Sequence, residues 1–372
     1  MHVGLNLIYL VPGETGGMEV AARELIPELV RCAPPGVRFT AFVNRDAGAG
    51  PWGEVVPKVE VPVRVGRRIE WVRGEQQLLP RMAAAAGVDL LHSLASTSPL
   101  WGRFARVVTV HDLIYRRYPE AHMGVRALGM RVLVPLAVRR SARVIAVSEA
   151  TKRDIVELLS TDPDRVDVVP QGFGSAPAVA PAAEADVRRR FDLGERRVLL
   201  ALSAQRPHKN LMRLLEALAT LEERPVLVLA GYPTGHGRAL RARTRELGME
   251  ADVRWAGWVE PALLEGLWSL TSGFVFPSLY EGFGLPVLEA MARGVAVACS
   301  DASSLPEVAG GAALLFDPGD TAAIAAALRR LLAGGPEIDA LREAGRARAA
   351  QFSWERTARG TLAAYARAAS AA

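Results

Sequence analysis

The chain has 372 residues, 50% hydrophobic and 23% charged, which supplies two cores of ordinary size and argues against a disordered chain. Its two cysteines, Cys32 and Cys299, lie far apart and suggest neither a disulfide framework nor a zinc site, so a reducing cytoplasm is expected. A net charge of +5 is too weak to argue for nucleic acid, and with no basic run before the apolar MHVGLNLIYLV and no apolar run of about 18 residues, neither export nor a membrane span is expected.

The first predicted strand, Val3 to Leu10, runs into the turn Pro12-Gly13-Glu14-Thr15-Gly16-Gly17. A helix from Met18 to Arg31 follows, with Met18, Ala21, Ala22, Leu25, Ile26 and Leu29 at helical spacing. The turn reads G-x-x-G-G rather than the dinucleotide fingerprint G-x-G-x-x-G, so alone it is a weak sign of a ligand. Further strands are predicted at Arg38–Val43, Asp89–His92, Arg106–Val110, Arg143–Val147 and Asp167–Val169, with helices near 76–86, 124–140 and 149–159. Such alternation implies a parallel sheet covered on both faces, where ligands bind at the carboxyl ends of the strands. Polar pairs stand at three of those ends: His92-Ser93, His111-Asp112 and Ser148-Glu149. Ser148 reads as an N-cap, His92 could equally be a satisfied strand-end histidine, and a lone His111 beside a core strand is more often structural than catalytic. Asp162-Pro163-Asp164 spells a D-x-D but has the chemistry of a turn.

Charge is uneven along this half. Between Val61 and Arg143 there are 14 arginines against five acidic residues, a local excess of +9. It is either a solvated surface or a face for an anionic acceptor or an anionic membrane carrying lipid-linked acceptors, Arg67, Arg68 and Arg73 among its members.

The stretch Gly172 to Glu184 is rich in Gly, Ala and Pro and reads as a linker. Alternation then resumes, with strands at Arg197–Leu202, Pro225–Ala230, Asp252–Trp255, Gly273–Phe276, Val295–Cys299 and Ala312–Phe316. Helices fit at 209–221, 236–247, 261–269, 286–293, 321–333 and 337–350, and a last one near Ser353 to Ala369 has no strand to serve.

Two constellations in this half point to an anion. Ser203-Ala204-Gln205-Arg206-Pro207-His208-Lys209-Asn210 places two cations before a helix start, where the dipole disfavours them unless an anion is shared with the backbone. Only three lysines occur (Lys58, Lys152 and Lys209) among 45 cationic residues, so a point charge at Lys209 stands out. The second is Phe276 to Glu289, FPSLYEGFGLPVLE: a strand closed by Pro277, a glycine loop, then a helix starting at Pro286. Gly282 and Gly284 allow the backbone close to a ligand. A capping box from Ser278 to Glu281 would put Gly282, Gly284 and Pro286 inside a helix, so Glu281 is left with no evident structural task.

Glu281 and Glu289, with the seven residues GFGLPVL between them, resemble the signature of the retaining, nucleotide-sugar-dependent glycosyltransferases of family 4, which have the GT-B fold. The resemblance is strong from 203 to 320 and looser in the first half. It implies that Glu281 contacts the donor sugar, Glu289 the ribose, and the amides near 284–286, with Gly282, Phe283, Gly284 and Leu285, the sugar and diphosphate. It implies Arg206 and Lys209 on the diphosphate, Gly16 and Gly17 over the donor phosphates, and Gly231 and Trp258 near the base, though the last pair could be plain turns. TVHDLIYRRYP resembles the family's strand-end histidine, which puts His111 at the donor sugar and reaction centre, and it looks most like mannosyltransferases of bacterial surface polysaccharides.

The resulting expectation is an α/β, GT-B protein: two Rossmann-like doubly wound parallel-sheet domains facing across a cleft. Their bounds are 1–175 (acceptor side), a linker 176–187, 188–352 (nucleotide sugar), and a terminal helix 353–372 packing back toward the first domain. The expected activity is retaining transfer of a hexose, mannose from GDP-mannose, to a glycan, glycolipid or small-molecule acceptor. Neither metal nor cofactor is expected, with the nucleotide sugar as co-substrate. A UDP-sugar donor and a catalytically silent sugar-nucleotide-binding subunit are the alternatives. The place of action is cytoplasmic, with contact at an anionic membrane surface as an option.

Overall fold

The computed structural model describes residues 1–13, 16–47, 52–66, 68–119, 125–174 and 179–370. Glu14 and Thr15 of the glycine turn, Arg67 of the basic stretch and 175–178 of the linker lie outside them. The chain forms two compact units, one of Met1–Gly174 with Phe352–Ala372 and the other of Ser175–Gln351.

The first unit holds seven parallel strands: β1 (His2–Leu7), β2 (Arg38–Val43), β3 (Lys58–Glu60), β4 (Leu90–Ser93), β5 (Ala105–Val110), β6 (Arg143–Ala146) and β7 (Val166–Val168). Their order in the sheet is β3-β2-β1-β4-β5-β6-β7. All six residues of β1 are buried, as expected for a parallel strand covered on both faces. Strand β3 was not legible because its sequence, KVE, is three residues long with charged ends, which suits a sheet edge. On one face the helices Gly17–Cys32 and Trp354–Ser370 pack together over the sheet, burying Leu25, Ile26, Leu29, Trp354, Ala358 and Tyr365. The final helix thus belongs to the core of the first unit.

The second unit holds β8 (Val198–Leu202), β9 (Val226–Ala230), β10 (Val253–Gly257), β11 (Gly273–Phe276), β12 (Val297–Ser300) and β13 (Leu314–Phe316), all parallel, in the order β10-β9-β8-β11-β12-β13. Each sheet therefore grows outward on one side of its first strand, then returns to grow on the other. In doubly wound sheets the ligand crevice opens at the carboxyl ends of the strands at that reversal, here β1 and β4 in one unit and β8 and β11 in the other.

Most strand boundaries fall within two residues of the sequence reading, and the largest shift is at β1, which ends at Leu7 rather than Leu10. Three differences matter. The segment expected as a helix at 76–86 is helical from Arg68 to Ala85, with a π-helical turn at Gly74–Leu78. Short helices Ile114–Arg117, Glu184–Phe191 and Leu305–Ala309 went unread, and the second begins inside the stretch read as linker. His92 is fully buried, with its ring nitrogens bonded to the Tyr365 hydroxyl (2.7 Å) and the Thr109 hydroxyl (2.8 Å), so of its two readings the structural one holds. Burial holds its pKa down at about 3, and nearby His111 adds to that. Ser148 caps the helix Glu149–Leu159 by accepting from the Thr151 amide, and Asp162 caps a 3-10 turn at Pro163–Arg165.

Candidate functional site

In the second unit the predicted residues fall at the carboxyl ends of four neighbouring strands, β10, β9, β8 and β11. At β8 the chain passes through Arg206, in extended conformation, into a 3-10 turn Pro207–Lys209. Asn210, at φ 56°, then redirects it into the helix Leu211–Ala219. Asn tolerates this left-handed conformation better than most residues, and its amide donates to the Pro318 carbonyl at 2.8 Å. The turn is tied to the next strand end by the Leu279 amide, which donates to the His208 carbonyl at 2.8 Å.

These contacts bring Lys209 to Glu281: the ammonium donates to Glu281 Oε1 at 2.6 Å, with 16% and 15% of the two side chains exposed. Lys209 Nζ also lies 5.4 Å from the centre of the Phe276 ring. Glu281, which the sequence left without a structural task, therefore has an ionic partner. Half-buried Arg206 has no carboxylate partner among the described residues, which leaves its charge available to an anion.

The loop after β11 is held by three serines that sequence reasoning missed. Ser303 Oγ accepts from the Glu281 amide at 3.0 Å and donates to the Glu281 carbonyl. Ser304 Oγ donates to the carbonyls of Glu281 (3.0 Å) and Phe283 (2.5 Å), and Ser300 Oγ donates to the Ser278 carbonyl at 2.6 Å. Ser303 makes its bonds at φ 59°, where a non-glycine residue is strained. The only trace of this in sequence is the serine-rich turn before Pro306, which reads as an ordinary loop.

Gly284, at φ 125°, ends the loop and caps the helix Leu285–Ala292. Of the amides expected here, Pro286 supplies none, so Gly284 and Leu285 head the helix. The Phe283 side chain is buried, so this residue has only its backbone to offer a ligand. One turn into the helix, the Glu289 carboxylate receives no hydrogen bond from any described residue, because Arg293 is engaged bidentately by Glu265 (2.9 and 2.6 Å). Burial pushes its pKa up, Arg293 pulls it back and Glu265 adds to the rise. Gly231, at φ 128°, packs so tightly that a Cβ there would meet the Ser203 carbonyl oxygen at 2.1 Å. Its amide bonds the Gly257 carbonyl at 2.7 Å, and beside it Tyr232 and Trp258 stand exposed at the ends of β9 and β10.

The remaining predicted residues lie in the first unit. Gly16, at φ 61°, precedes the helix Gly17–Cys32, and the Gly13 amide donates to Glu19 Oε2 at 2.8 Å. His111 follows β5. Its Nε2 bonds the Leu94 carbonyl at 2.7 Å, and since a carbonyl only accepts, Nε2 carries the proton. Nδ1 is then the acceptor and receives the Gln171 amide at 3.2 Å. Burial pulls the His111 pKa down, against the Leu94 bond and Asp112, so the neutral ring is favoured near pH 7. The ring lines a cavity of about 30 Å³, shared with Tyr9, Met18, Leu94, Gln171 and Trp354, which has room for about one water molecule. Among the described residues there is no group of three or more His, Cys, Asp or Glu that could hold a metal.

Comparison with known proteins decides the family. The family description "Glycosyltransferase Family 4" matches residues 15–174 and "Glycosyl transferases group 1" matches 184–348. The chain is 32% identical over 272 residues to O-antigen chain mannosyltransferase B of Escherichia coli, covering 70% of this chain and 69% of that protein. The chain belongs to glycosyltransferase family 4. This glycosyltransferase is also 30% identical over 392 residues to the D-inositol 3-phosphate glycosyltransferase of Acidothermus cellulolyticus, covering 95% of this chain and 86% of that protein. It spans 32% of the length of the serotype-specific mannosyltransferase WbdA of Escherichia coli, at 31% identity. In fold the glycosyltransferase is similar to sucrose-phosphate synthase from Thermosynechococcus elongatus (TM-score 0.80, 20% identity, 100% of both chains). It is likewise similar to Anabaena HepE in complex with UDP and glucose (TM-score 0.76, 19% identity, 98% of this chain and 99% of that one). The GT-B fold expected from the sequence is the fold observed.

Proposed function

We propose that this glycosyltransferase moves mannose from GDP-mannose to a glycan or lipid-linked acceptor, with retention and without a metal. The observation that carries the reading is the row of groups at the ends of β10, β9, β8 and β11. An exposed aromatic residue and a glycine turn stand at one end, two cations in the middle, and a carboxylate with a glycine-headed helix at the other. That is the order of base, diphosphate and sugar in a nucleotide sugar. Trp258 and Gly231 would receive the base, Arg206, Lys209 and the Gly284 and Leu285 amides the diphosphate, and Glu281 the sugar. Glu289, half-buried and with its carboxylate unbonded among the described residues, would take the ribose hydroxyls.

As the bond from the anomeric carbon to the diphosphate breaks, negative charge grows on the leaving phosphate. Fixed cations and helix amides stabilise that charge without the reorganisation that water would need. With that charge supplied by Arg206 and Lys209, a divalent ion is not required. His111, neutral and with Nε2–H fixed, is assigned to the donor sugar near the reacting carbon, and Gly16 and Gly17 to the phosphate side. Mannose is preferred on the mannosyltransferase relatives. A UDP-sugar donor is the second reading, favoured by the UDP held by the HepE neighbour. The arginine-rich stretch 61–143 is proposed as the acceptor face or a contact for anionic lipid; no helix among the described residues is long and apolar enough to cross a membrane. Binding to anionic vesicles that persists after Arg67, Arg68 and Arg73 are changed to Ala would refute the lipid part.

The test of the donor reading is thermal unfolding with GDP, UDP, ADP, TDP and their sugar conjugates, with and without EDTA. A ligand at about 100 times its Kd stabilises by roughly 2.7 kcal/mol. A response to GDP and GDP-mannose that survives EDTA is the expected result. A response to UDP alone selects the second reading, and loss of the response in EDTA overturns metal independence.

A further inference from the structure

Glu75 is the second residue of the π-helical turn Gly74–Leu78, and it is 1% exposed. Sequence position hints at the anomaly: Glu75 stands four residues after Trp71 and four before Leu79, on the stripe a helix turns toward its core. A buried carboxylate is costly unless donors surround it, and here they do. Thr97 Oγ1 donates to Oε1 at 2.8 Å, Asn6 Nδ2 to Oε1 at 3.3 Å, and Gln76 Nε2 to Oε2 at 3.1 Å. Asn6, at the end of β1, also donates to Ser93 Oγ at the end of β4 (3.1 Å), so the network spans the strand reversal of the first sheet.

Gln76 completes a clamp on the segment after β4. Its Nε2 donates to the Ser98 carbonyl (3.1 Å), its Oε1 accepts from the Leu100 amide (3.1 Å), and its own carbonyl accepts from Trp101 Nε1 (2.5 Å). The segment so held begins with Leu94, whose carbonyl takes the His111 Nε2 proton. A π turn inserts an extra residue into a helix and recurs at functional sites. A network that existed only to fill a core would be replaceable by apolar side chains. We infer that Glu75 and Gln76 are positioning residues for His111: by fixing the segment 94–101 they fix the Leu94 carbonyl, and with it which ring nitrogen of His111 bears the proton.

The inference rests on the reading that His111 serves the reaction, and the experiment separates the two. Nitrogen spectra are taken of protein labelled with ¹⁵N-histidine, with the His111 signals assigned by their loss in His111→Gln. Release of nucleoside diphosphate from the responding nucleotide sugar is followed in parallel. The parent is expected to show the single Nε2–H tautomer. In Glu75→Ala and Gln76→Ala the ring should populate both tautomers, and kcat should fall at least about tenfold while donor KM stays within about twofold. Glu75→Gln keeps one oxygen for Thr97 and Asn6 but cannot accept from Gln76, so it should lie between. Unchanged His111 signals in folded Glu75→Ala and Gln76→Ala overturn the inference. If Glu75→Ala does not fold, unchanged signals in Glu75→Gln and Gln76→Ala overturn it equally. A spread of tautomers with no loss of rate upholds the positioning and removes His111 from the reaction.

Discussion

Lys209 and Glu281 neutralise one another at 2.6 Å, and the donor proposed for this site would compete for the ammonium. The pair therefore holds both side chains in place ahead of the ligand, which lowers the ordering cost of binding. Lys209→Ala leaves a largely buried carboxylate without its cation and should lower unfolding free energy by roughly 1–2 kcal/mol, given partial exposure. Adding Glu281→Gln should recover part of that loss in a denaturation cycle; strictly additive losses would show that the pair is not coupled. Each single variant should also reduce turnover by about 10²–10³ while remaining folded, and full activity in both would refute the site. Glu75 makes a prediction with the opposite dependence on solvent. Burial raises its pKa from 4.5 to about 7, against the bonds from Thr97, Asn6 and Gln76. The folded state thus holds the proton more tightly than the unfolded one. Its stabilising share is complete below pH 4.5 and is lost as pH rises toward 7. Urea unfolding should show Glu75→Gln gaining on the parent by roughly 3 kcal/mol between pH 4.5 and 8. A constant difference across that range would mean the carboxyl does not titrate there.

At the scale of elements, much of the site was legible because its devices are local. The strand Gly273–Phe276, the glycine loop and the Pro286 helix start are contiguous in sequence, and so are Arg206, Lys209 and the turn they ride on. What escaped depends on partners distant in the chain. Ser303 and Ser304 act on Glu281 and Phe283 more than 20 residues earlier, and Glu75 acts on Asn6 and Thr97. His92 stayed ambiguous for the same reason, since Tyr365 lies 273 residues away. Two substitutions test the element geometry. Ser303→Gly removes left-handed strain as well as the staple on Glu281, so the melting temperature should change little while kcat for the donor falls; a fall in both together would make Ser303 a plain fold residue. Gly231→Ala drives a Cβ into the Ser203 backbone and should cost more than about 2 kcal/mol, abolishing the thermal response to nucleotide at the same time.

The whole molecule repeats one plan twice, and each unit places its predicted residues at strand carboxyl ends. Alternation of apolar runs with helical patterns conveyed that plan, since a parallel sheet buried on both faces leaves continuous hydrophobic runs in sequence. The first unit, however, is closed by the last helix. Trp354, Ala358 and Tyr365 are buried in its core, and Thr357 Oγ1 donates to the Pro170 carbonyl at 2.8 Å. Removal of residues 353–372 should therefore lower the calorimetric transition of the first unit and leave that of Ser175–Gln351 in place. Equal loss of both transitions would show that the two units melt as one.

That closure has a consequence for synthesis. The strands of the first sheet leave the ribosome before Ser175–Gln351 does, yet Tyr365 reaches His92 only after that second unit has been made. The first unit is then begun before the second and completed after it, and a nascent chain must carry an open apolar face on helix Gly17–Cys32 while Ser175–Gln351 matures behind it. Chaperone demand should accordingly fall on the first unit, and a chain stalled before Trp354 should be recognised there.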